Sequence, residues 1–367
     1  MKNSLGNSMV VTLFGESHGK YIGCVLDGLA PGIKVDDDFI NHQLSLRRPK
    51  GRISTQRVEA DEYTICSGVF EGYTTGTPLT IIIPNSDQHS KDYGPMRSIA
   101  RPGHADYTAF LKYHGFEDYR GGGHFSGRIT AALVAAGAIV IPALKEKGIF
   151  IGTHIRECAG VPDRNFGDYP KDIEYLNNEY FAVLDKEQGE LMNSKIEEAA
   201  SEGDSVGGIL ETVITGMIPG CGEPFFDSLE SLLSHALFSV PAIKGVEFGE
   251  GFNMSRLTGS VNNDSFYVSD DGNIKTKTNN NGGINGGISN GMPIIIKCAV
   301  KPTPSIYKEQ DTVDFLKGED TKLSIAGRHD PAIIHRARVV VDSVVALTLY
   351  DVLSGRFGTD YFKVGNK

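Results

Sequence analysis

The stretch ITAALVAAGAIVIPALKEK, residues 129–147, decides how the rest of the chain is read. It is apolar almost all round and rich in alanine, so no face is reserved for water, and a helix of this kind belongs in an interior. Pro142 is expected to kink or divide it, because proline lacks the N–H and its ring meets the preceding turn. On either side of it, β-branched runs at 9–14, 22–26, 63–70, 79–83, 209–214 and 294–300 have strand length and are bounded by Gly or Pro. Residues 227–237 read as an amphipathic helix, with Asp227 and Glu230 in capping-box positions and Leu229, Leu232, Leu233, Ala236 and Leu237 on one stripe. Residues 339–353 repeat that pattern, and 196–202 read as a short, charged, exposed helix. Strands and helices are intermixed, which predicts an α/β class, treated as one large domain over 1–367 because no clear linker divides it.

Composition narrows the function classes. A hydrophobic fraction of 40% with 22% charged residues suits a globular chain with a sizeable core. The five cysteines are odd in number, far apart and never in a CxxC pair, so neither a disulfide framework nor a zinc site is expected; they read as buried reduced thiols. Residues 1–8 are polar and no run of 18 or more apolar residues occurs, so a soluble, cytoplasmic protein without a membrane segment is expected. A formal net charge of -10 argues against general nucleic-acid binding, which needs a broad cationic face.

Against that acidity, five short blocks concentrate His, Arg and Gly: GESHG (15–19), RRPKGR (47–52), RPGHADYT (101–108), RGGGHFSGR (120–128) and GRHDPAIIHR (327–336). Cations grouped in glycine-bearing loops focus positive potential on a small, multiply charged ligand. Arg47, Arg48, Arg101, Arg128 and Arg336 are candidate clamps, since guanidinium forks bind phosphate or carboxylate bidentately. Each alone reads equally well as a surface ion pair, and the basic run 43–57, with Lys50, Arg52 and Arg57, as a solvated loop. His18 and His104 are candidate acid-base groups, titrating near neutrality without a large shift. A lone histidine is more often structural. In RGGGHFSGR, backbone N–H groups beside Arg128 and a helix start suggest a phosphate site, although neither the P-loop nor the dinucleotide glycine pattern is present. Asp330 is a candidate proton acceptor or simply half of a turn ion pair. Residues 279–291, NNNGGINGGISNG, read either as a flexible linker or as a backbone cradle for a ligand.

Taken in order, GESHG, RRP, RPGHADYT, DYRGGG, GDS, KGVEFG, GGISNG, KPTPSI and GRHDP resemble the signature set of the chorismate synthase family, from about residue 5 to about residue 351. The resemblance implies a β-α-β sandwich and a homotetramer with flavin sites near subunit contacts. It implies loss of phosphate and the C6 proton from 5-enolpyruvylshikimate 3-phosphate in a 1,4-anti elimination that requires reduced FMN. By the same resemblance His18 protonates the departing phosphate, His104 meets the reduced flavin near N1, and Asp330 helps take up the C6 proton relayed through flavin N5. Arg47, Arg48, Arg101, Ser126, Arg128 and Arg336 would bind substrate. FMN contacts would come from His124, Phe125, Ser126, Pro241, Ala242, Gly286, Lys301, Pro302, Thr303, Pro304, Ser305 and Arg328, and NADP contacts from Arg47 and Arg52. NADPH would then be an indirect electron source, with a separate flavin reductase as partner.

The chain departs from the family pattern where GGGHFSGR replaces the usual GGGRSSAR, so His124 and Phe125 stand for arginine and serine. Ala332 follows HDP where cysteine is common, and Pro241 replaces a common asparagine. Two rival readings compete: a non-catalytic protein that binds a phosphorylated metabolite or flavin, and a flavin-free phosphosugar isomerase or lyase. The first needs the arginines but not His18, His104 and Asp330 together; the second leaves residues 279–291 and KPTPSI without a role.

Overall fold

The computed structural model describes residues 2–55, 60–86, 97–325 and 329–363. Five strands form one antiparallel sheet: β1 (Ser4–Leu5), β2 (Val10–Gly15), β3 (Tyr21–Asp27), β4 (Thr64–Ser67) and β5 (Leu79–Pro84), in the order β1-β2-β3-β5-β4. Register is set by β-branched alternation. Leu79, Ile81 and Ile83 of β5 are fully buried, and Ile22 of β3 pairs with Ile83. A second antiparallel sheet holds β6 (Phe150–Cys158), β7 (Val161–Pro162), β8 (Gly208–Thr215), β9 (Ile243–Phe248) and β10 (Ile294–Val300), in the order β9-β10-β8-β6-β7.

Helices α1 (Asp37–Arg47), α2 (Asp106–Tyr113), α3 (Thr130–Glu146), α4 (Lys186–Ser201), α5 (Leu229–Leu237) and α6 (Ile334–Phe357) complete the frame. α3 packs on β2, β3 and β5 of the first sheet, α6 packs on β6 and β8 of the second, and the two helices pack on each other. The layers are therefore sheet, helices, sheet, as the family resemblance implied. Gly137 explains how closely α3 and α6 approach: a Cβ there would lie 2.4 Å from the Ser343 Cβ. Along α3, Leu133, Val134, Ile139, Val140, Ile141 and Leu144 are buried, each stabilising the fold by about 1.5–3 kcal/mol.

Several expectations need correction. α3 is not divided at Pro142; one backbone hydrogen bond to the Ala138 carbonyl is given up and burial on all sides holds the rest. Residues 127–146 do have the length and hydropathy of a membrane span, but almost all are enclosed within the fold. The run 63–70 is broken at Gly68, whose φ of +83° ends β4 before the two-residue strand Val69–Phe70. Residues 196–202 are the end of the longer α4, and Ile196 is buried. Ser228, not Asp227, caps α5, accepting from the Ser231 N–H at 3.1 Å. Cys24, Cys158, Cys221 and Cys298 are buried free thiols, but Cys66 is exposed on β4. Burial pushes the Cys24 and Cys298 thiols up to about 12, so they stay protonated.

β6 was not expected because its polar residues are buried without alternation. Thr153 donates to Asp342 at 2.6 Å, and His154 lies between Asp163 (2.7 Å) and Glu211 (3.1 Å). Burial opposes charge on His154, but the hydrogen bonds to Asp163 and Glu211 outweigh it and raise its pKa above the ordinary 6.5. A raised folded-state value means this contribution to stability is complete below about pH 6.5 and is lost as pH climbs through the folded value. Urea unfolding should therefore show the margin of the wild type over His154→Gln shrinking as pH rises from 6.5. A margin independent of pH would contradict the charged assignment.

Candidate active site

The loop between α2 and α3 carries DYRGGGHFSGR. Gly121, Gly122 and Gly123 all have positive φ, +60°, +95° and +52°, a run that side-chain-bearing residues adopt only with strain. The GESHG block is the hairpin loop joining β2 to β3, and it docks on this turn through the Ser17 N–H to the Gly123 carbonyl at 3.1 Å. Two histidines rest against adjacent glycines. A Cβ on Gly121 would lie 2.1 Å from His18 Cε1, and one on Gly122 would lie 3.2 Å from His104 Nε2. His18 is buried with its Nδ1 3.1 Å from Ser17 Oγ. Nearby, Asp118 accepts two 2.7 Å bonds from Arg120. Burial alone would raise the Asp118 carboxyl, but Arg120 and the field of His18 hold it below its ordinary value.

His104 sits in a tight turn closed by its N–H to the Arg101 carbonyl at 3.0 Å. Asp106, the first residue of α2, accepts from Arg101 Nε at 2.7 Å, Arg101 Nη2 at 2.6 Å and His104 Nδ1 at 2.8 Å. The KPTPSI block braces this turn from outside: Lys301 Nζ donates to the Gly103 carbonyl at 2.5 Å and Pro304 lies against Gly103. Lys301 N–H also bonds the Ala242 carbonyl at 3.0 Å, and Ser205 Oγ donates to the Thr303 carbonyl at 2.7 Å. His329 packs on Tyr307; burial first and the Arg101 charge second depress its pKa.

Beside the hairpin loop, Asp61 gathers three arginines. Arg47 Nη2 donates at 3.0 Å, Arg128 Nη1 donates to its other oxygen, and Arg48 Nε lies 3.7 Å away. Arg336 donates to the Arg47 carbonyl at 2.8 Å and to Asp330 at 2.6 Å, while Asp330 also accepts from the Thr55 N–H at 2.8 Å. Among the described residues, four guanidinium groups thus meet two carboxylates. Burial, then Arg336 and Arg128, depress the Arg47 pKa more than Asp61 can raise it. The buried Nε atoms of Arg47 and Arg48 have no hydrogen-bond partner among the described residues, as expected of donors kept for an anion. Asn85 couples this cluster to the hairpin loop. Its Oδ1 accepts from Arg128 Nε at 2.9 Å, and its Nδ2 donates to the Glu16 and Gly19 carbonyls at 3.0 and 2.8 Å.

A cavity of about 370 Å³ opens on the other side of the glycine turn, lined by Arg97, Arg101, His104, Tyr113, His124 and Phe125 among others. Phe116, 92% exposed, stands at its wall. The lining also carries Glu16, Asp106, Glu117 and Asp118, with Asp106 paired to Arg101, so the aromatic walls and the volume fit a planar heteroaromatic ring such as a flavin, and Arg97 and the two histidines are the cations left for an anionic tail. His124 Nδ1 donates to the Gly15 carbonyl at 2.7 Å, and Phe125 meets Tyr113 edge-on, so the replacements at 124 and 125 line this cavity.

Other sequence-predicted residues fall elsewhere. Ser126 caps the turn Gly127–Ile129 by accepting from the Arg128 N–H, and Arg128 itself turns back to Asp61, Asn85 and the Pro84 carbonyl instead of facing a phosphate at the start of α3. Gly286 is exposed in the turn of the ribbon Ile284–Asn285 with Ile288–Ser289, whose neighbours are Ser228, Glu223 and Cys221 and not residues of the cavity. Asp264 holds this Asn/Gly segment, accepting from the backbones of Asn280 and Asn281. Arg52 is exposed after α1, and Arg57 and Arg328 lie outside the described residues. His335 is a core residue, its Nε2 2.8 Å from Ser54 Oγ; burial pushes it down to about 3. Sequence reading missed Asp61 and Asn85, for which no local pattern gave a signal.

The family model described as "Chorismate synthase" matches residues 9–353. The chain is similar to curated proteins named "Chorismate synthase" from Archaeoglobus fulgidus (45% identical, covering 96% of this chain and 97% of that one), Lachnospira eligens (46%, covering 95% and 94%) and Pyrococcus abyssi (46%, covering 95% and 96%). Among solved structures it is similar to one described as "Crystal Structure of Chorismate Synthase", with a TM-score of 0.76, 28% identity and coverage of 96% of this chain and 94% of that one.

Proposed function

The chain belongs to the chorismate synthase family and is a lyase, and from that premise we propose that it converts 5-enolpyruvylshikimate 3-phosphate to chorismate and phosphate, with reduced FMN bound. Membership in a family of lyases sets aside the non-catalytic reading. The observation that carries the proposal is the packing of His18 and His104 on adjacent glycines of one turn, with the arginine cluster around Asp61 nearby. A substrate with two carboxylates and a phosphate would be met by the buried Nε donors of Arg47 and Arg48, in the positive field to which Arg128 and Arg336 add. His18, with Nδ1 tied to Ser17, donates the proton on Nε2 to the oxygen of the departing phosphate as the carbon–oxygen bond breaks. Asp330, held by Arg336 and the Thr55 amide, helps take up the proton lost from C6.

Phe125, Tyr113 and His124, which line the cavity, are the groups that would hold the flavin, which when bound supplies an electron that is returned within the cycle; Ala242 and residues 301–305 do not line it and reach it through the Lys301 bond to the Gly103 carbonyl. His104 presents Nε2 to it. The replacements at His124 and Phe125 exchange an arginine's charge for an aromatic wall, a change in flavin affinity and not in reaction type. NADPH serves as an indirect electron source through a separate flavin reductase, in the cytoplasm. A homotetramer is supported by Phe225, Phe226 and Phe252, all more than 80% exposed, and by the +65° φ of Phe225, a strain that contact with another copy would repay.

The test is phosphate release from this substrate under anaerobic conditions. We expect turnover with reduced FMN and none with oxidised FMN; equal release with both would overturn the proposal.

A further inference from the structure

We propose that Asp106 is a positioning residue that fixes the ring tautomer of His104, keeping the hydrogen on Nδ1 so that Nε2 is the nitrogen presented to the bound ligands. The inference rests on the reading of His104 given above and names the group that makes that role workable. Asp106 has both oxygens committed. Oδ2 accepts from the Arg101 N–H at 3.0 Å and Arg101 Nε at 2.7 Å; Oδ1 accepts from Arg101 Nη2 at 2.6 Å and lies 2.8 Å from His104 Nδ1. Arg101 Nη2 is also 3.1 Å from His104 Nδ1.

Two arrangements of the hydrogen are conceivable at that nitrogen, and the carboxylate decides between them. Burial works to protonate Asp106, but the hydrogen bonds from Arg101 and His104 outweigh it and keep the carboxyl well below its ordinary value. An ionised carboxylate only accepts. A bare Nδ1 lone pair 2.8 Å from it would be repelled, so Nδ1 carries the hydrogen and Arg101 Nη2 is a second donor to the same oxygen. The other ring nitrogen then lies against the bare Cα of Gly122, on the cavity side. A carboxylate behind the ring also steadies any positive charge His104 acquires when Nε2 takes a proton.

The arrangement changes the reading of Arg101 as well. With Nε and Nη2 spent on Asp106, its first task is to hold that carboxylate ionised, and it is a support for His104 more than a substrate clamp. The turn is braced from outside by Lys301 on the Gly103 carbonyl, so the geometry does not depend on Asp106 alone.

The experiment combines nitrogen-15 spectra of ring-labelled histidine with anaerobic kinetics, on the full chain. In the wild type His104 should show Nδ1–H with Nε2 bare, and Asp106→Ala should move the hydrogen largely to Nε2. Turnover with reduced FMN should fall by about 10–100-fold, the range for loss of a group that orients a histidine, with KM for the substrate changed less than about twofold. In a His104→Ala background the same substitution should lower turnover by less than about twofold, and Asp106→Glu should restore part of both signals. Should Asp106→Ala fail to fold, Asp106→Asn supplies the same readings, with one acceptor oxygen left for several donors and a rising Nε2–H population. An unchanged tautomer in a folded variant, or an equal loss of turnover with and without His104, would overturn the proposal. Absence of flavin-dependent turnover in the wild type would fail the functional reading instead, and the spectra would still decide the role of Asp106.

Discussion

Asp61→Ala should destabilise the protein by about 3–5 kcal/mol, the loss expected when one partner of a buried ion pair is removed and the other stays behind uncompensated. Asp61 is fully buried and accepts from Arg47 and Arg128, with Arg48 close by. Removing it leaves three guanidinium groups around an empty centre, with Arg336 adding to the repulsion already felt by Arg47. Asp61→Asn, which keeps one acceptor, should lose less. Urea midpoints would measure both, and added phosphate should restore more stability to Asp61→Ala than to the wild type, because it would take the place of the lost carboxylate among the arginines. A loss below about 1 kcal/mol with no response to phosphate would mean that the cluster is held together by something other than this carboxylate.

Gly121→Ala should leave a folded protein whose turnover is lower by at least about a hundredfold, the contribution typical of a positioned acid-base group. The left-handed backbone there costs an alanine about 1–2 kcal/mol. The larger effect is steric: the new Cβ would fall 2.1 Å from His18 Cε1 and 2.4 Å from its Nδ1, so the imidazole must leave its position. Gly72→Ala is the control. Its φ of +78° carries the same strain, but no atom lies within 4 Å of the added Cβ, so turnover should be unchanged. If both variants turn over at the wild-type rate, His18 does not act from the position seen here.

Much of this could be read from the chain itself, and what could not has a physical reason. Runs such as LTIIIP in β5 alternate between a buried and a partly exposed face, so periodicity reveals them. β6 conceals itself because Thr153 and His154 are polar yet buried, satisfied by partners on β8, α6 and the segment after β7. The ordered motifs announced the family, and of the cations clustered in glycine loops the structure brings Arg47, Arg48, Arg128 and Arg336 together. The carboxylate that assembles the arginines was invisible, since Asp61 is 14 residues from Arg47 and 67 from Arg128, and nothing local distinguishes it. The basic run 43–57 split between its two readings: Arg47 is buried as the last residue of α1, whereas Lys50 and Arg52 are exposed.

The central claim is that His18 and His104, set on neighbouring glycines, both carry the chemistry. Anaerobic turnover of His18→Ala and His104→Ala with reduced FMN tests it most directly, with the urea midpoint of each variant as a control for folding. Each should lose at least about a hundredfold in turnover while remaining folded. A near-normal rate in either folded variant would contradict the account.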